Sequence, residues 1–97
     1  MFQVRWTKKA LYSFADTLKY WNIHNSSEKY SKKLRIEVEK KEKLLSQNPH
    51  LGSQSEIDGV KYVLIDKNFS LYYRINDKVV EVLAFWDNRR NPKNLNL

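Results

Sequence analysis

The chain has 97 residues, 41% hydrophobic and 13% aromatic, with 18 Lys and Arg against 11 Asp and Glu, a net charge of +7 and an isoelectric point near 9.7. That is enough for one modest core and too little for two, so one domain spanning residues 1–97 is expected. The apolar content excludes wholesale disorder, no apolar run approaches the ~20 residues that cross a bilayer, and the absence of cysteine excludes disulfides and thiolate metal sites.

The opening MFQVRWTKKA carries charge and no continuous apolar stretch, so no secretory signal is expected and a cytoplasmic location is the default. FQVRWT alternates Phe2, Val4 and Trp6 with Gln3 and Arg5, the period-two pattern of a half-buried strand. Thr7 then supplies a side-chain oxygen where a helix N-cap belongs. In KKALYSFADTLKYWNIH, Leu11, Phe14, Leu18 and Trp21 recur at spacings of three and four, widened by Ala10 and Ala15, which predicts an amphipathic helix over residues 8–23. In NSSE, Asn25 and Glu28 stand three apart as in a capping box. A second helix is predicted from there to about Gln47, with Tyr30, Leu34, Val38, Leu44 and Leu45 inward and Lys29, Lys32, Lys33, Lys40 and Lys43 elsewhere. Asn48-Pro49 ends it, and LGSQSEIDG, which holds both glycines, Gly52 and Gly59, reverses the chain.

The remainder predicts an antiparallel meander: VKYVLID (60–66), FSLYYRIN (69–76) and VVEVLAFW (79–86), joined by KN and DK, gaps that fit tight hairpins. In the middle strand Phe69, Leu71, Tyr73 and Ile75 share one face, and Ser70, Tyr72, Arg74 and Asn76 the other. One face is expected against the helices and the other open, aromatic and cationic. The fold class is therefore α+β: an N-terminal strand, a two-helix hairpin and a three-stranded antiparallel meander forming one twisted sheet.

Charge is uneven along the chain. Residues 1–47 hold eleven basic and five acidic side chains, whereas residues 48–97 hold seven and six. Such an excess attracts polyanionic or acidic partners, although any single lysine is simply a solvated one. Metal-site and cofactor signals are missing: His24 and His50 have no ligand-type neighbours at the right spacing, and neither glycine belongs to a phosphate-binding loop. Glu81 and Asp87 are candidates for an acid/base pair by proximity only, and the expected reading of each is a solvated or ion-paired carboxylate. What is left is a cationic and aromatic set, Lys61, Tyr62, Tyr72, Arg74, Trp86, Arg89 and Arg90, suited to orienting phosphates and stacking on bases. An ordinary open sheet face with snorkelling arginines would read the same way.

The succession VRWTKKALYSFADTLKYW, the Lys-rich helix ending LLSQNPHLG, and FSLYYRINDKVVEVLAFWDNRRNP together resemble the RelE/ParE superfamily of toxins from bacterial type II toxin-antitoxin modules, over nearly the whole chain. The resemblance implies the RelE/ParE-like fold, a cytoplasmic toxin without cofactor, and a cognate acidic antitoxin lying along the helices and sheet. Its contacts would be Leu11, Phe14, Leu18, Trp21, Tyr30 and Leu34, in a heterotetramer or larger complex. RelE-like members cut messenger RNA in the ribosome with basic sheet residues and a terminal tyrosine. On that pattern Lys61 and Arg89 match, with Arg74 a further candidate, while the second lysine falls on Val63, another arginine on Ser70 and the tyrosine near Leu95. ParE-like members poison DNA gyrase and carry a middle strand like YYRI (72–75) and a tail like RRNPKNL (89–95). Where that family usually has a histidine after the last strand, this chain has Trp86-Asp87. The ParE-like reading is the nearer one, and it makes Arg74, Trp86, Arg89, Arg90 and Tyr72 the contacts to gyrase. Two alternatives are a RelE-like messenger endoribonuclease and a non-toxic basic nucleic-acid-binding domain of the same fold.

Overall fold

The computed structural model describes residues 1–25, 27–95 and 97. Strand β1 (Gln3–Trp6) leads into helix α1 (Lys8–His24), helix α2 (Lys29–Gln47), a 3₁₀ turn (Pro49–Leu51), the short strand β2 (Ser53–Gln54), then β3 (Lys61–Asp66), β4 (Phe69–Asn76) and β5 (Val79–Asp87), with a second 3₁₀ turn at Pro92–Asn94. They form one five-stranded sheet in the order β1-β5-β4-β3-β2, in which β1 runs parallel to β5 and every other pairing is antiparallel. The predicted elements are all present. Strand β2 was not expected, because two exposed polar residues show no alternation and pair with β3 only once the chain has been reversed.

Local chemistry sets the boundaries. Thr7 is extended and its Oγ1 accepts from the Ala10 N–H at 3.1 Å, the expected N-cap. The capping box of Asn25 and Glu28 does not form: the Asn25 N–H closes α1 by donating to the Trp21 carbonyl at 3.0 Å, and Glu28 makes no side-chain cap. With only residues 25–28 between the helices, Asn25 still belongs to the first one, and Ser27 Oγ accepts from the Lys29 N–H at 3.1 Å instead. At Gly52 an added Cβ would lie 2.5 Å from the Tyr73 hydroxyl and 2.7 Å from the Tyr62 carbonyl. The space is needed because the buried Tyr73 hydroxyl accepts from the Gly52 N–H and donates to the Pro49 carbonyl, pinning the turn after α2 to the middle of the sheet.

The core lies between the helices and one sheet face: Ala10, Leu34, Val38 and Leu45 against Val63, Ile65, Phe69, Leu71, Tyr73, Val80, Val82 and Phe85. Phe85 is its centre, stacked on Phe69 at 5.0 Å and tilted against Phe14 at 4.9 Å, with Trp6 stacked beyond. Ala15, expected to widen the stripe of α1, is exposed, and two leucines expected inward are not. Leu44 is 44% exposed and Leu11 50%, because the buried stripes run through Leu34, Val38 and Leu45 and through Ala10, Phe14 and Leu18, and each misplaced leucine sits a step of ~100° around its helix from them.

A bulge decides which way the end of β5 faces. Tyr72 registers with Ala84 but Tyr73 with Val82, so Leu83 is an extra residue. Before it Val80 and Val82 point to the core; after it the phase reverses, Phe85 enters the core, and Ala84 and Trp86 take the opposite face.

Candidate functional site

The face away from the helices is open only at one end. Arg74 is exposed there, its Nε donating to Glu81 Oε1 across the strand pair at 2.6 Å. Toward the end of β5 the same face is closed over: Ser70, Ala84 and Trp86 are buried, Trp86 to 8% exposure, and Leu95 borders the hollows on either side of this region. The expectation of a uniformly open aromatic and cationic face is corrected accordingly, because the chain after β5 folds back over it.

The expected site residues fall into three places. Lys61 registers with Tyr73, on the helix-facing side with Val63, and is separated by the sheet from Tyr62, Tyr72 and Arg74. Tyr72 lies beside Tyr62 on the far face, the two rings tilted with centroids 5.7 Å apart. Arg74 sits opposite Glu81, five residues before Trp86 along β5, which puts it roughly 15 Å from the third group at ~3.3 Å per residue. That third group is Trp86, Arg89 and Arg90. Glu81 and Asp87 each hold an arginine at opposite ends of β5 and make no acid/base pair.

The turn after β5 is fastened through Asn88, whose N–H donates to the Asn68 carbonyl at 2.8 Å and whose Oδ1 accepts from the Ser70 hydroxyl at 2.7 Å. The two arginines beyond it go different ways. Arg89 turns back onto Asp87: its Nε donates to Oδ1 at 3.0 Å, its terminal nitrogen to Oδ2 at 2.7 Å, and its backbone N–H to Oδ1 at 3.0 Å. It lies over the Trp21 ring at 5.9 Å, in the aromatic group at the end of α1 where Trp21 also meets Tyr20, His24 and Tyr30. Hydrogen bonds from Arg89 hold the Asp87 carboxyl below the usual carboxylate range, although partial burial pushes the other way. Arg90 lies over Trp86 at 4.9 Å and makes no ion pair among the described residues.

Trp86 has one further property: its indole Nε1 is buried with no hydrogen-bond partner among the described residues. Beside it a hollow of about 370 Å³ lies between β5 and α1, reached by Lys9, Ser13, Asp16 and Thr17. Sequence reasoning missed these α1 residues. Their spacing of four, three and one was the available signal, a polar stripe beside the apolar one, marking a helix edge that overlooks something other than core.

Three tyrosine hydroxyls are pushed up. Burial does this at Tyr30, where Asp66, accepting its hydroxyl proton at 3.1 Å, adds to the effect and Asn68 opposes it. Burial does the same at Tyr72, aided by Tyr62 and Glu56, and at Tyr73 against the Gly52 N–H. These shifts lead away from the near-neutral range that favours general acid/base work. Among the described residues no group of three or more His, Cys, Asp or Glu could hold a metal ion, and no helix is long and apolar enough to cross a membrane.

Of the expected antitoxin contacts, Leu11 is exposed and Phe14, Leu18, Trp21 and Tyr30 are half-buried. Leu34 is 1% exposed and packed in the core, so it is unavailable to a partner.

Residues 4–92 match the family model of the ParE toxin of the type II toxin-antitoxin system parDE. A search of curated protein sequences finds no match. Among solved structures, the chain resembles one from the chromosomal ParDE toxin-antitoxin system of P. aeruginosa at 23% identity and a TM-score of 0.76, covering 90% of this chain and 96% of that one. It also resembles the YoeB dimer of Staphylococcus aureus at 16% identity and a TM-score of 0.61, covering 86% and 92%. For a YoeB/ParE toxin from Agrobacterium tumefaciens the identity is 13% and the TM-score 0.60, with 89% and 98% covered.

Proposed function

The chain belongs to the ParE toxins of type II toxin-antitoxin systems, and from that premise we propose that it stops growth by poisoning DNA gyrase and is silenced by a cognate acidic antitoxin. The observation that carries the reading is Arg90, an exposed guanidinium braced on the Trp86 ring without an ion-pair partner among the described residues. A cation so placed can meet a phosphate or carboxylate of a target without first breaking an ion pair. Arg89 sets the turn that aims it. Arg74 and Tyr72, at the other end of the open face, form a second and separate contact. The antitoxin covers the exposed apolar residues of the hairpin, Leu11 first, and the lysines of α2 draw it in.

Three features favour gyrase over message cleavage: Lys61 lies on the wrong side of the sheet to work with Arg74, Arg89 is engaged by Asp87, and the shifted tyrosines are poor proton donors. Purified chain should block gyrase supercoiling and trap cleaved DNA while leaving translating messages intact. The opposite pattern would replace this reading with a ribonuclease. Expression that leaves a bacterial host unharmed would replace both with a non-toxic nucleic-acid-binding domain.

A further inference from the structure

The far face of the sheet carries a second hollow, of about 320 Å³, between β3, β4 and the loop that joins β2 to β3. Its floor is Tyr62 and Tyr72, which stand opposite each other in the β3–β4 register, half-buried, with ring centroids 5.7 Å apart. Its wall is the loop, tied into one shape. The Ser55 N–H donates to the Val60 carbonyl at 2.9 Å, the Ile57 N–H to Ser55 Oγ at 3.1 Å, and Gln54 Nε2 to the carbonyls of Ser55, Ile57 and Val60 at 3.3, 3.1 and 3.2 Å. Three carbonyls around one nitrogen fix which end of the Gln54 amide is which, and leave its oxygen as an acceptor not engaged by the described residues. Glu56, exposed on the same loop, makes no ion pair among the described residues; after burial and Tyr62, its charge is what pushes the Tyr72 hydroxyl up. No Lys or Arg among the described residues lines the hollow, in a chain whose net charge is +7, and Arg74, two residues from Tyr72 on the same face, is engaged by Glu81. Leu64 and Ile57, which also line it, are 53% and 37% exposed.

We propose that this hollow receives an arginine side chain of a protein partner, the guanidinium lying against the Tyr62 and Tyr72 rings and meeting the Glu56 carboxylate, with apolar neighbours of that arginine covering Leu64 and Ile57. The ligand is a cation because, among the described residues, the one formal charge lining the hollow is that of Glu56. It is a guanidinium because the hollow combines aromatic faces with acceptors. A planar group with five N–H donors and no acceptor stacks on the rings and fills the acceptors at once, whereas an ammonium offers a point charge and no plane. A nucleotide base stacks on the same rings, but its phosphate then meets the Glu56 carboxylate with no cation in the lining to offset the repulsion. The arginine belongs to a protein because two exposed apolar side chains beside the rings call for apolar cover that a lone guanidinium lacks. The bonds within the loop leave little ordering to be done on binding. One part of the inference rests on the gyrase reading: there the contact at Tyr72 is made with the protein of the target and not with its DNA.

The test is a titration of the full ¹⁵N-labelled chain with acetyl-Leu-Arg-Leu-amide, followed by NMR. The backbone amides of residues 54–57, 62 and 72 should shift. Three counterparts should each bind about fivefold more weakly: one with citrulline, which keeps the shape without the charge, one with lysine, which keeps the charge without the plane, and acetyl-Ala-Arg-Ala-amide, which lacks the apolar flanks. Glu56→Gln and Tyr72→Leu should each weaken binding about fivefold, whereas Glu39→Gln, the same change of charge on the exposed side of α2, should leave it unchanged; unaltered core resonances of Phe85 establish that the variants fold. Equal binding of the citrulline peptide would make the hollow an apolar patch, equal binding of the lysine or alanine peptide a general attraction for cations, and the same shifts with inorganic phosphate or a DNA duplex an anion site; each would overturn the proposal. So would the absence of shifts at these residues, or shifts that follow protein concentration without peptide, which would assign the hollow to a second copy of the chain. The gyrase assay and this titration fail independently: a chain that ignores gyrase but takes the peptide keeps the arginine site, and one that poisons gyrase but ignores the peptide loses that site alone.

Discussion

Two tryptophan-arginine pairs stand at the end of β5, one on each side of the sheet, and their arginines are neighbours in the chain. Arg89 over Trp21 is locked by three hydrogen bonds to Asp87; the Arg90 guanidinium lies over Trp86 and makes no ion pair among the described residues. Identical residue types thus divide into a fastening and a cation that no described ion pair engages. The difference arises from the turn: Asn88 is tied to Asn68 and Ser70, which leaves Arg89 the geometry to fold back on Asp87 and sends Arg90 to the opposite face. Residue type told nothing about which was which, and the partner of each guanidinium told everything.

The strongest way to break the comparison is to remove what both sides lean on. Phe85 packs between Phe69, on which it is stacked, and Phe14, against which it is tilted, directly before Trp86, and Phe85→Ala should cost ~3–5 kcal/mol, measurable by urea denaturation. Both ends should loosen together. Should near-ultraviolet circular dichroism show the Trp86 side unchanged, the two pairs do not share a support.

Much of this was legible in the sequence. Period-two and period-3.6 patterns place every long element, but alternation carried on from Val80 and Val82 would have put Trp86 in the core and Phe85 opposite it, the reverse of what the bulge produces. Alternation also put Lys61 on the face of Val63; grouping it with Arg74 followed charge instead of period. What could not be read depends on pairing between distant segments. The Leu83 bulge is a property of register with β4. The burial of Trp86 depends on the path taken after Pro92, and the short strand β2 on where α2 lets the chain return. The Asn25–Glu28 capping pattern misled because a linker of only residues 25–28 leaves Asn25 to the first helix.

Smaller changes sharpen the division. Arg90→Ala should lower potency in the gyrase assay at least tenfold, ~1.4 kcal/mol, with stability within ~0.5 kcal/mol of wild type. Loss of stability without loss of potency would make Arg90 the fastening. On the other side, Asp87→Asn should destabilise by ~0.5–1 kcal/mol, a modest value because Arg89 is largely solvent-exposed. The folded-state pKa of Asp87 is lowered, so its contribution is complete above the ordinary carboxylate value of ~3.9 and is lost as pH falls through the lower folded value. Denaturation of both chains from neutral pH downward should therefore show a steady gap that closes below about pH 4. A gap independent of pH would mean that the fork contributes nothing to folding.

The smallest expected effect is the most telling. Trp86→Phe removes part of a ring, a loss of ~1–2 kcal/mol on the scale of large-to-small substitutions, but it also removes a buried donor without a partner among the described residues, whose uncompensated desolvation costs a comparable ~1–3 kcal/mol. The two nearly cancel, so stability should change by less than ~1 kcal/mol. Trp6→Phe makes the contrast: the Trp6 Nε1 donates to Glu42 Oε2 at 3.1 Å, so that substitution loses ring and bond together and should be the more damaging by ~1 kcal/mol or more. If Trp86→Phe proves as damaging as Trp6→Phe, the Trp86 indole serves the fold as an ordinary core residue. If it is neutral for stability while potency in the gyrase assay falls, the Trp86 indole serves something other than the fold, and the Trp86 side of β5 is the working one.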